Sequence, residues 1–315
     1  MFDYSLRLLA LVLHVATEKT RDASLPHTII NNADVREQCS RIFSDADDDV
    51  FRISCAYWCS VMHRTGLLLL NEYPSLPVDA LVNNSRNLAE MLYSHLQDCK
   101  SNAATVVGIN DPLYPSHLRA IHNPPFMLTV CGNVELLNTP KVAIVGSRKA
   151  SAHALAESYK LGMILARKGY TIVSGGAFGC DIAAHKGVLS TGITPAPAIV
   201  VFAGGLGNLH PRRHTGVFRA LRAKDSLFIS ERLWRTPSYP YDFPIRNRII
   251  SGLSMSLIVM EASERSGTLV TANLALEQGR EIWVLKGNQD DVRFLGSNAL
   301  ISDGAIPFQT ANDWM

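Results

Sequence analysis

The feature that most constrains the fold is an alternation of short apolar runs with helical segments, which begins near residue 141 and continues to about residue 302. The runs are rich in β-branched residues and apolar on both faces, which is typical of strands in a parallel sheet covered by helices. We place these strands at 142–145, 171–173, 199–202, 226–229, 257–260 and 282–285. Helices are predicted at about 153–168, 180–190, 211–223, 245–252, 268–279 and 296–302. The alternation predicts an α/β fold with a doubly wound, mostly parallel sheet and right-handed crossovers.

The chain before this alternation has a different pattern. Helical spacing is present at 87–99, apolar helices are expected at 6–15 and within 50–70, and a proline-rich connector follows at 111–125. Hydrophobic residues make up 47% of the 315 residues, so the chain can bury a large core. We predict two domains. They are a smaller helical N-terminal domain at 1–103 and the Rossmann-like domain at 104–315.

The net charge of +2 conceals an asymmetry between the two parts of the chain. Residues 1–140 contain 10 basic and 15 acidic residues, whereas residues 141–315 contain 20 basic and 13 acidic residues. In the basic part, arginine outnumbers lysine by 13 to 7, and arginine holds phosphates in a forked geometry. An anionic partner for the basic part is one interpretation, and ordinary surface charge is the other.

The N-terminal segment and the cysteines indicate a cytoplasmic protein without membrane association. The apolar stretch at 6–16 is too short to span a bilayer, and no basic segment of a secretory signal precedes it. Six cysteines show no dense disulfide framework. Cys55, Cys59 and His63 share one helical face with zinc-ligand spacing, but their apolar neighbours favour core packing. We therefore predict no metal and no other cofactor.

Loops rich in glycine and serine follow the predicted strands, at the edge of the sheet where such folds bind ligands. They lie at 146–148, 174–181, 203–207 and 263–268. Small residues let a ligand approach the backbone, and free amides at helix N-termini suit phosphate. One such loop is a weak signal, but four at successive strand ends predict a phosphate-binding rim. The GxxxxGK[ST] motif is absent, which disfavours an ATP-hydrolysing P-loop.

The segment 239–248, YPYDFPIRNR, interleaves aromatic residues with arginines. Aromatic rings stack on unpaired bases while guanidinium groups hold phosphates. The alternative is a proline-rich loop whose rings pack on the core. Arginines at the start of the predicted helix favour binding over packing.

Six motifs, in order, resemble those of the DNA-processing protein A family, also called DprA or Smf. Residues 142–148 match its VAIVGSR, and 174–186 (SGGAFGCDIAAHK) resemble SGLARGID-xx-AHKG. Residues 243–254 (FPIRNRIISGLS) resemble FPRRNRIIAGLS. The remaining three motifs are EASERSGTLVTA at 261–272, LALEQGREI at 274–282 and GSNALISDGA at 296–305. The resemblance extends over about 114–307 and is highly specific.

This resemblance implies an extended Rossmann-like domain. It also implies a homodimer that binds single-stranded DNA with tolerance for sequence and hands it to RecA during DNA uptake and recombination, without enzymatic activity. Carried over by motif, Arg148 and Arg246 hold phosphates and Phe243 offers a stacking face, while backbone amides line the pocket. Together with the strand-end loops, the expected nucleic-acid-binding residues are Gly146, Ser147, Arg148, Gly175, Gly176, Ala177, Phe178, Gly179, Lys186, Gly204, Gly205, Phe243, Arg246, Asn247, Arg248, Ser266, Gly267 and Thr268.

The chain also departs from the family pattern, which marks a diverged member. Phe178 stands where the family has an arginine, Gly176 replaces a leucine, and Ile245 replaces the first arginine of FPRRNR. Two basic groups are thus lost, and because each phosphate contact adds to affinity, weaker DNA binding is expected. Phe178 either replaces a phosphate contact by a stacking contact or closes the pocket.

Two further functions remain open at this point. One is a regulator or antitoxin-type partner in a phage-defence locus, which would dock a toxin or defence protein through the acidic N-terminal part. The other is an enzyme similar to nucleotide phosphoribohydrolases, which use an arginine and a glutamate near a phosphate loop. Glu231, Glu261 and Glu264 lie at predicted strand ends and are its candidate carboxylates.

Overall fold

The computed structural model describes residues 85–109 and 111–314 of the chain. These residues form a nine-stranded sheet with the order β1-β2-β6-β5-β4-β3-β7-β8-β9. The strands are β1 (Ala104–Gly108), β2 (Met127–Cys131), β3 (Lys141–Val145), β4 (Thr171–Ser174), β5 (Ala198–Phe202), β6 (Leu227–Ser230), β7 (Ser256–Val259), β8 (Glu281–Leu285) and β9 (Ile306–Phe308). Strands β3 to β9 pair in parallel, and the antiparallel pairs β1–β2 and β2–β6 close one edge. The predicted doubly wound, mostly parallel sheet is confirmed.

Eight α-helices connect these strands within the described residues. They are α1 (Ser85–Ser101), α2 (Ser116–Arg119), α3 (Ala152–Arg167), α4 (Cys180–Ser190), α5 (Thr215–Ala223), α6 (Asp242–Leu253), α7 (Gly267–Glu277) and α8 (Leu295–Ser302). Helix α3 packs against α4, which contacts α5, whereas α6 packs against α7 and α2. The right-handed crossover rule places these two groups on opposite faces of the sheet.

The chain reverses its direction of travel across the sheet after β6. It proceeds from β3 through β4 and β5 to β6 on one side, and then returns to β7, which pairs with β3 on the other side. The boundary between β3 and β7 is the topological switch point of the sheet, and loops beyond the carboxyl ends of strands at such a point form a crevice for ligands.

All six predicted strands and all six predicted helices in the Rossmann-like part are present, with ends that differ by at most a few residues. The predicted helix at 211–223 is divided into a short 3-10 segment, Arg212–His214, and α5. The sequence did not reveal β1, β2 or β9. The first two have five residues each but border the connector, where no long helix alternates with them, and β9 has three residues only.

Helix α1 confirms the helical spacing at 87–99 and shares the main core with the sheet. Ala89, Leu92 and Leu96 are buried in the same hydrophobic cluster as the strands. The imidazole Nδ1 of His95 accepts a hydrogen bond of 3.0 Å from the backbone amide of Trp234. Helix α1 therefore packs as part of the sheet domain. The domain boundary at residue 103 stays a prediction.

The expectations for the earlier segments, including the helices at 6–15 and 50–70 and the Cys55, Cys59 and His63 set, fall outside the described residues. Within the described part, every helix is too short or too polar to cross a membrane.

Candidate nucleic-acid interface

A groove with a volume of about 750 Å³ opens at the switch point, beyond the carboxyl ends of β3 and β7. The loop after β3, the first turn of α6 and the first turn of α7 form its walls. Ten of the eighteen predicted binding residues line it, namely Gly146, Ser147, Arg148, Ala177, Phe243, Arg246, Asn247, Ser266, Gly267 and Thr268. The structure thus brings together residues that are up to 122 positions apart in the sequence, from Gly146 to Thr268.

The ring of Phe243 contacts two arginines in the wall of this groove. The guanidinium carbon of Arg148 is 4.9 Å from the centroid of the Phe243 ring, and that of Arg246 is 6.0 Å away. Both distances fall in the range of cation–π contacts. The Arg148 side chain is exposed, so its guanidinium group is accessible to an anion in the groove.

Arg246 is buried and forms the floor of the groove. Its Nη1 donates hydrogen bonds to the carbonyl oxygens of Gly175 (3.2 Å) and Val201, and Nε donates to Asn247 Oδ1 (3.2 Å). Burial lowers the pKa of Arg246 to about 10, which leaves the guanidinium charged at neutral pH, and the nearby Asp181 carboxylate opposes this shift. A Cβ atom at Gly175 would lie 2.6 Å from Arg246 Nη2, so a larger residue there would displace the guanidinium group from its present position.

Three further cations, which the sequence analysis did not single out, line the groove. They are Lys149, Arg265 and Arg293. All three are exposed. Arg293 is also paired with Asp291, at 2.5 Å between Nη2 and Oδ2. Lys149 follows Arg148 directly, and Arg265 lies inside the quoted motif at 261–272, so the signal for both was available. With Arg148 and Arg246, five cations surround a groove in which Asp181 is the one carboxylate among the described lining residues.

The N-terminus of α7 points into the groove. The Ser266 side chain caps this helix by accepting a hydrogen bond from the Leu269 amide at 3.4 Å. The first-turn amides of an α-helix have no partners inside the helix, and the helix dipole is positive at this end. Gly267 and Thr268 therefore add an anion-binding contribution to the wall of the groove.

Glu261 holds the loop after β3 in position. Its backbone oxygen accepts from the Ser147 amide at 2.8 Å, and its Oε2 accepts from the Ser151 amide at 2.9 Å. The Gly175 and Ala177 amides, in turn, donate to Asp181 Oδ2 at 3.1 and 3.4 Å. Several of the backbone amides expected to face a phosphate are thus bound to the protein's own oxygens, and the side chains supply most of the charge of the groove.

The remaining predicted residues lie elsewhere. Gly204 and Gly205 pack tightly under the loop at 233–238, where a Cβ atom would collide with Ser238 and Leu233. Arg248 is buried and forms a two-pronged ion pair with Glu231, with distances of 2.9 and 2.5 Å. Gly176 is buried and does not line the groove. The last three predicted residues line a neighbouring depression, namely Phe178, Gly179 and Lys186.

Two positions at which the chain departs from the family pattern, Phe178 and Ile245, lie among the described residues. Phe178 does not close the groove, because its ring lines the neighbouring depression and is 39% exposed. Ile245 is 44% exposed and is not part of the groove wall. Among the described residues, no group of three side chains suited to hold a metal ion is found.

A doubly wound sheet whose switch point carries an arginine-lined groove defines a Rossmann-like α/β protein with a positively charged groove at the ends of its strands. Comparison with known proteins gives the particular family. Residues 105–315 match the family model described as DNA recombination-mediator protein A, and the chain belongs to this family.

Curated relatives extend the match beyond that domain. Protein Smf of Escherichia coli is 36% identical over 269 residues, which cover 82% of this chain and 68% of the relative. The DNA processing protein DprA of Bacillus subtilis is 34% identical over 235 residues, covering 74% of this chain and 78% of the relative. The similarity predicted from the motifs is confirmed.

Solved structures show the same fold. The X-ray structure of DprA from Streptococcus pneumoniae is similar with a TM-score of 0.65 and 30% identity, covering 83% of this chain and 96% of the solved chain. DNA processing protein A from Helicobacter pylori, solved to examine its single-stranded DNA binding mode, gives a TM-score of 0.60 with 27% identity. That match covers 67% of this chain and 93% of the solved chain.

Proposed function

We propose that the groove at the switch point binds single-stranded DNA with little dependence on sequence. The observation that carries this proposal is the pairing of Arg148 with the Phe243 ring at 4.9 Å, inside a groove with four further cations. Guanidinium and ammonium groups attract the phosphates, and an aromatic face accepts any unpaired base. The single-stranded DNA binding of the Helicobacter pylori relative supports the same assignment.

The positions and contacts of the three candidate glutamates support a binding function over a hydrolytic function. Glu231 is engaged by the guanidinium of Arg248, at 2.5 and 2.9 Å. Glu261 is fully buried and its Oε2 accepts from the Ser151 amide. A general acid or nucleophile must reach the substrate, and neither carboxylate faces the groove. Glu264 is exposed beside the groove but does not line it.

We further propose that the protein acts as a homodimer and delivers the bound strand to RecA. The support for both statements is membership in the DNA recombination-mediator family. A light-scattering mass of twice the 34.6 kDa of the chain is expected for the dimer. For delivery, the protein should accelerate RecA filament formation on single strands that carry a single-strand-binding protein. A monomer at all concentrations, or no acceleration, would contradict the respective statement.

The binding proposal is tested by fluorescence anisotropy with the full chain and matched single- and double-stranded oligonucleotides at two salt concentrations. We expect tighter binding of the single strand, with an affinity that falls as salt rises because counterions are released. The same titration with nucleoside monophosphates followed by chromatography tests for release of free base, which we expect to be absent. Equal affinity for both strand forms would contradict the stacking part of the proposal, and release of free base would favour the enzyme.

A further inference from the structure

A second depression adjoins the groove and shares two of its cations. It has a volume of about 470 Å³, and both Arg148 and Lys149 line it as well as the groove. The side chains that define this Phe178 depression are Arg148, Lys149, Tyr159, Phe178, Lys186 and His214. A chain that leaves the groove past Arg148 therefore enters the Phe178 depression without crossing an uncharged surface.

The Phe178 ring is exposed but held in place from behind. Its centroid is 4.5 Å from that of the His214 ring, at an interplanar angle of 65°. The Nδ1 of His214 lies 3.0 Å from the carbonyl oxygen of Gly176, which fixes the imidazole ring. Behind His214 lies Phe218, at 6.1 Å between centroids, and Phe218 is buried in the core. A series of aromatic edge contacts thus supports an exposed ring from the core of the protein.

The backbone around Phe178 is equally constrained. Gly176 and Gly179 both have positive φ angles, of +61° and +82°. The carboxylate of Asp181 accepts hydrogen bonds from the amides of Gly175 and Ala177. A loop that is ordered before a ligand arrives loses little conformational entropy on binding. An exposed ring held in such a loop can contact a ligand without any rearrangement of the backbone.

The charges around the ring identify the kind of ligand. Three cations line the depression, and none of the described lining residues is acidic. An apolar peptide would gain nothing from these cations, whereas a nucleotide has both a flat aromatic base and an anionic phosphate. Tyr159 is 38% exposed on the α3 side of the depression and adds a second ring. The depression is therefore suited to a base with its phosphate.

We propose that the Phe178 depression is a second subsite that stacks a nucleobase of the same DNA strand held in the groove, with Lys186 and Arg148 on the flanking phosphates. This inference rests on the proposed single-stranded DNA binding. The arginine that the family pattern has at position 178 offers a charge, and Phe178 replaces that charge by a π face. The strand path then runs from Phe243 past Arg148 to Phe178.

The test uses the full chain and labelled oligothymidylates of about 6 and about 15 nucleotides, a span typical of single-strand sites. The variants are Phe178→Ala, Phe178→Tyr and Phe178→Arg, with Tyr93→Ala as a control that removes another exposed aromatic ring, on α1. Anisotropy titrations at several salt concentrations give the affinity and the salt slope, and thermal unfolding confirms that each variant is folded.

We expect Phe178→Ala to weaken binding of the long strand at least about 5-fold, as loss of one stacked base does, with an unchanged salt slope. Binding of the short strand should fall less, because a short strand can occupy the groove without reaching the depression. Phe178→Tyr restores the affinity because the π face returns. Phe178→Arg steepens the salt slope by about 0.7, because one phosphate contact is added. Tyr93→Ala binds both strands like the wild type.

Other results would overturn the inference. If Phe178→Ala binds the long strand as the wild type does, the subsite is wrong while the groove stands. If Phe178→Tyr is as weak as Phe178→Ala, the ring does not act by stacking. If the wild type binds neither strand, the proposed function itself fails, and the subsite fails with it.

Discussion

The three arginines of the sequence expected to bind DNA differ in what their side chains contact. Arg148 is exposed and contacts the Phe243 ring, Arg246 is buried against backbone carbonyls, and Arg248 is paired with Glu231. The motifs predicted that these residues matter but not how. The Arg246 acceptor on Val201 is 45 positions away and the Arg248 partner is 17 positions away, so their contacts depend on the tertiary fold. The sequence therefore predicted residues that line the groove, but it did not reveal that the charge of Arg248 is paired with Glu231.

For Arg148, we predict that Arg148→Ala weakens single-stranded DNA binding and lowers the salt slope by about 0.7, the value for one lost phosphate contact on a single strand. The matched control is Arg167→Ala, an exposed arginine at the opposite end of α3, about 24 Å from the helix start. Salt-dependent anisotropy measures both. An unchanged slope for Arg148→Ala, or equal losses in both variants, would be incompatible with the proposed contact.

For Arg248, we predict a loss of stability instead of a loss of charge-dependent binding. The side chains of Arg248 and Glu231 are only 10% and 18% exposed, and Arg248→Ala leaves the carboxylate buried without its partner. Removing one partner of a buried pair lowers the free energy of unfolding by about 3 kcal/mol. Arg235→Ala breaks the exposed pair with Asp98 and should change stability little. Urea unfolding measures the stability of both variants. A lowered salt slope of DNA binding in Arg248→Ala would contradict this prediction, because it would show that Arg248 contacts a phosphate.

His185 makes stability depend on pH. It is fully buried on α4, and burial lowers its pKa to about 4, from about 6.5 in an unfolded chain. Below pH 6.5, His185 takes up a proton in the unfolded chain but not in the folded protein. The free energy of unfolding therefore falls as the pH falls towards 4. Between pH 7 and pH 5, the wild type should lose about 2 kcal/mol more than His185→Met. Equal losses in urea unfolding would show that His185 titrates normally in the folded protein.

At the scale of elements, the turn between β4 and α4 links the groove to the rest of the fold. Gly179 has a positive φ and packs so closely that a Cβ atom would lie 2.0 Å from the backbone oxygen of Ser147. This contact ties the loop after β4 to the loop after β3, which carries Arg148. The glycine pattern predicted a ligand-binding loop, whereas part of its purpose is close packing between loops. The six predicted strands were recognisable because both faces are apolar and a helix follows each of them. β1 and β2 are equally long and almost fully buried, but only the proline-rich connector and the four-residue α2 separate them, so the alternation of strands and helices did not mark them.

We predict different costs for two glycine substitutions at positive φ. Gly192→Ala is strained by its φ of +73° alone, with no atom within 4 Å, and should cost about 1 kcal/mol. Gly179→Ala has a similar φ and a collision with Ser147 in addition, so its loss of stability should be clearly larger. It should also weaken DNA binding, because the loop with Arg148 must shift. Equal unfolding free energies, together with unchanged binding, would mean that the two loops are not coupled.

At the scale of the whole molecule, the sheet order determines where the site can be. The switch point between β3 and β7 opens a crevice, and the motifs after β3, at the start of α6 and at the start of α7 all converge there. The alternation of strands and helices made this arrangement predictable from the sequence. The division into a groove and a Phe178 depression was not predictable, because it depends on which way the loop at 175–179 turns.

The central claim, that the switch-point groove holds single-stranded DNA over Phe243, is tested most directly by photocrosslinking. An oligonucleotide with 5-iodouracil attaches on irradiation to an aromatic ring on which the base stacks, and mass spectrometry then locates the attachment. We predict crosslinked peptides that contain Phe243, within 239–250, and their loss in Phe243→Leu. Crosslinks confined to peptides away from the groove, with binding retained in Phe243→Leu, would contradict the account.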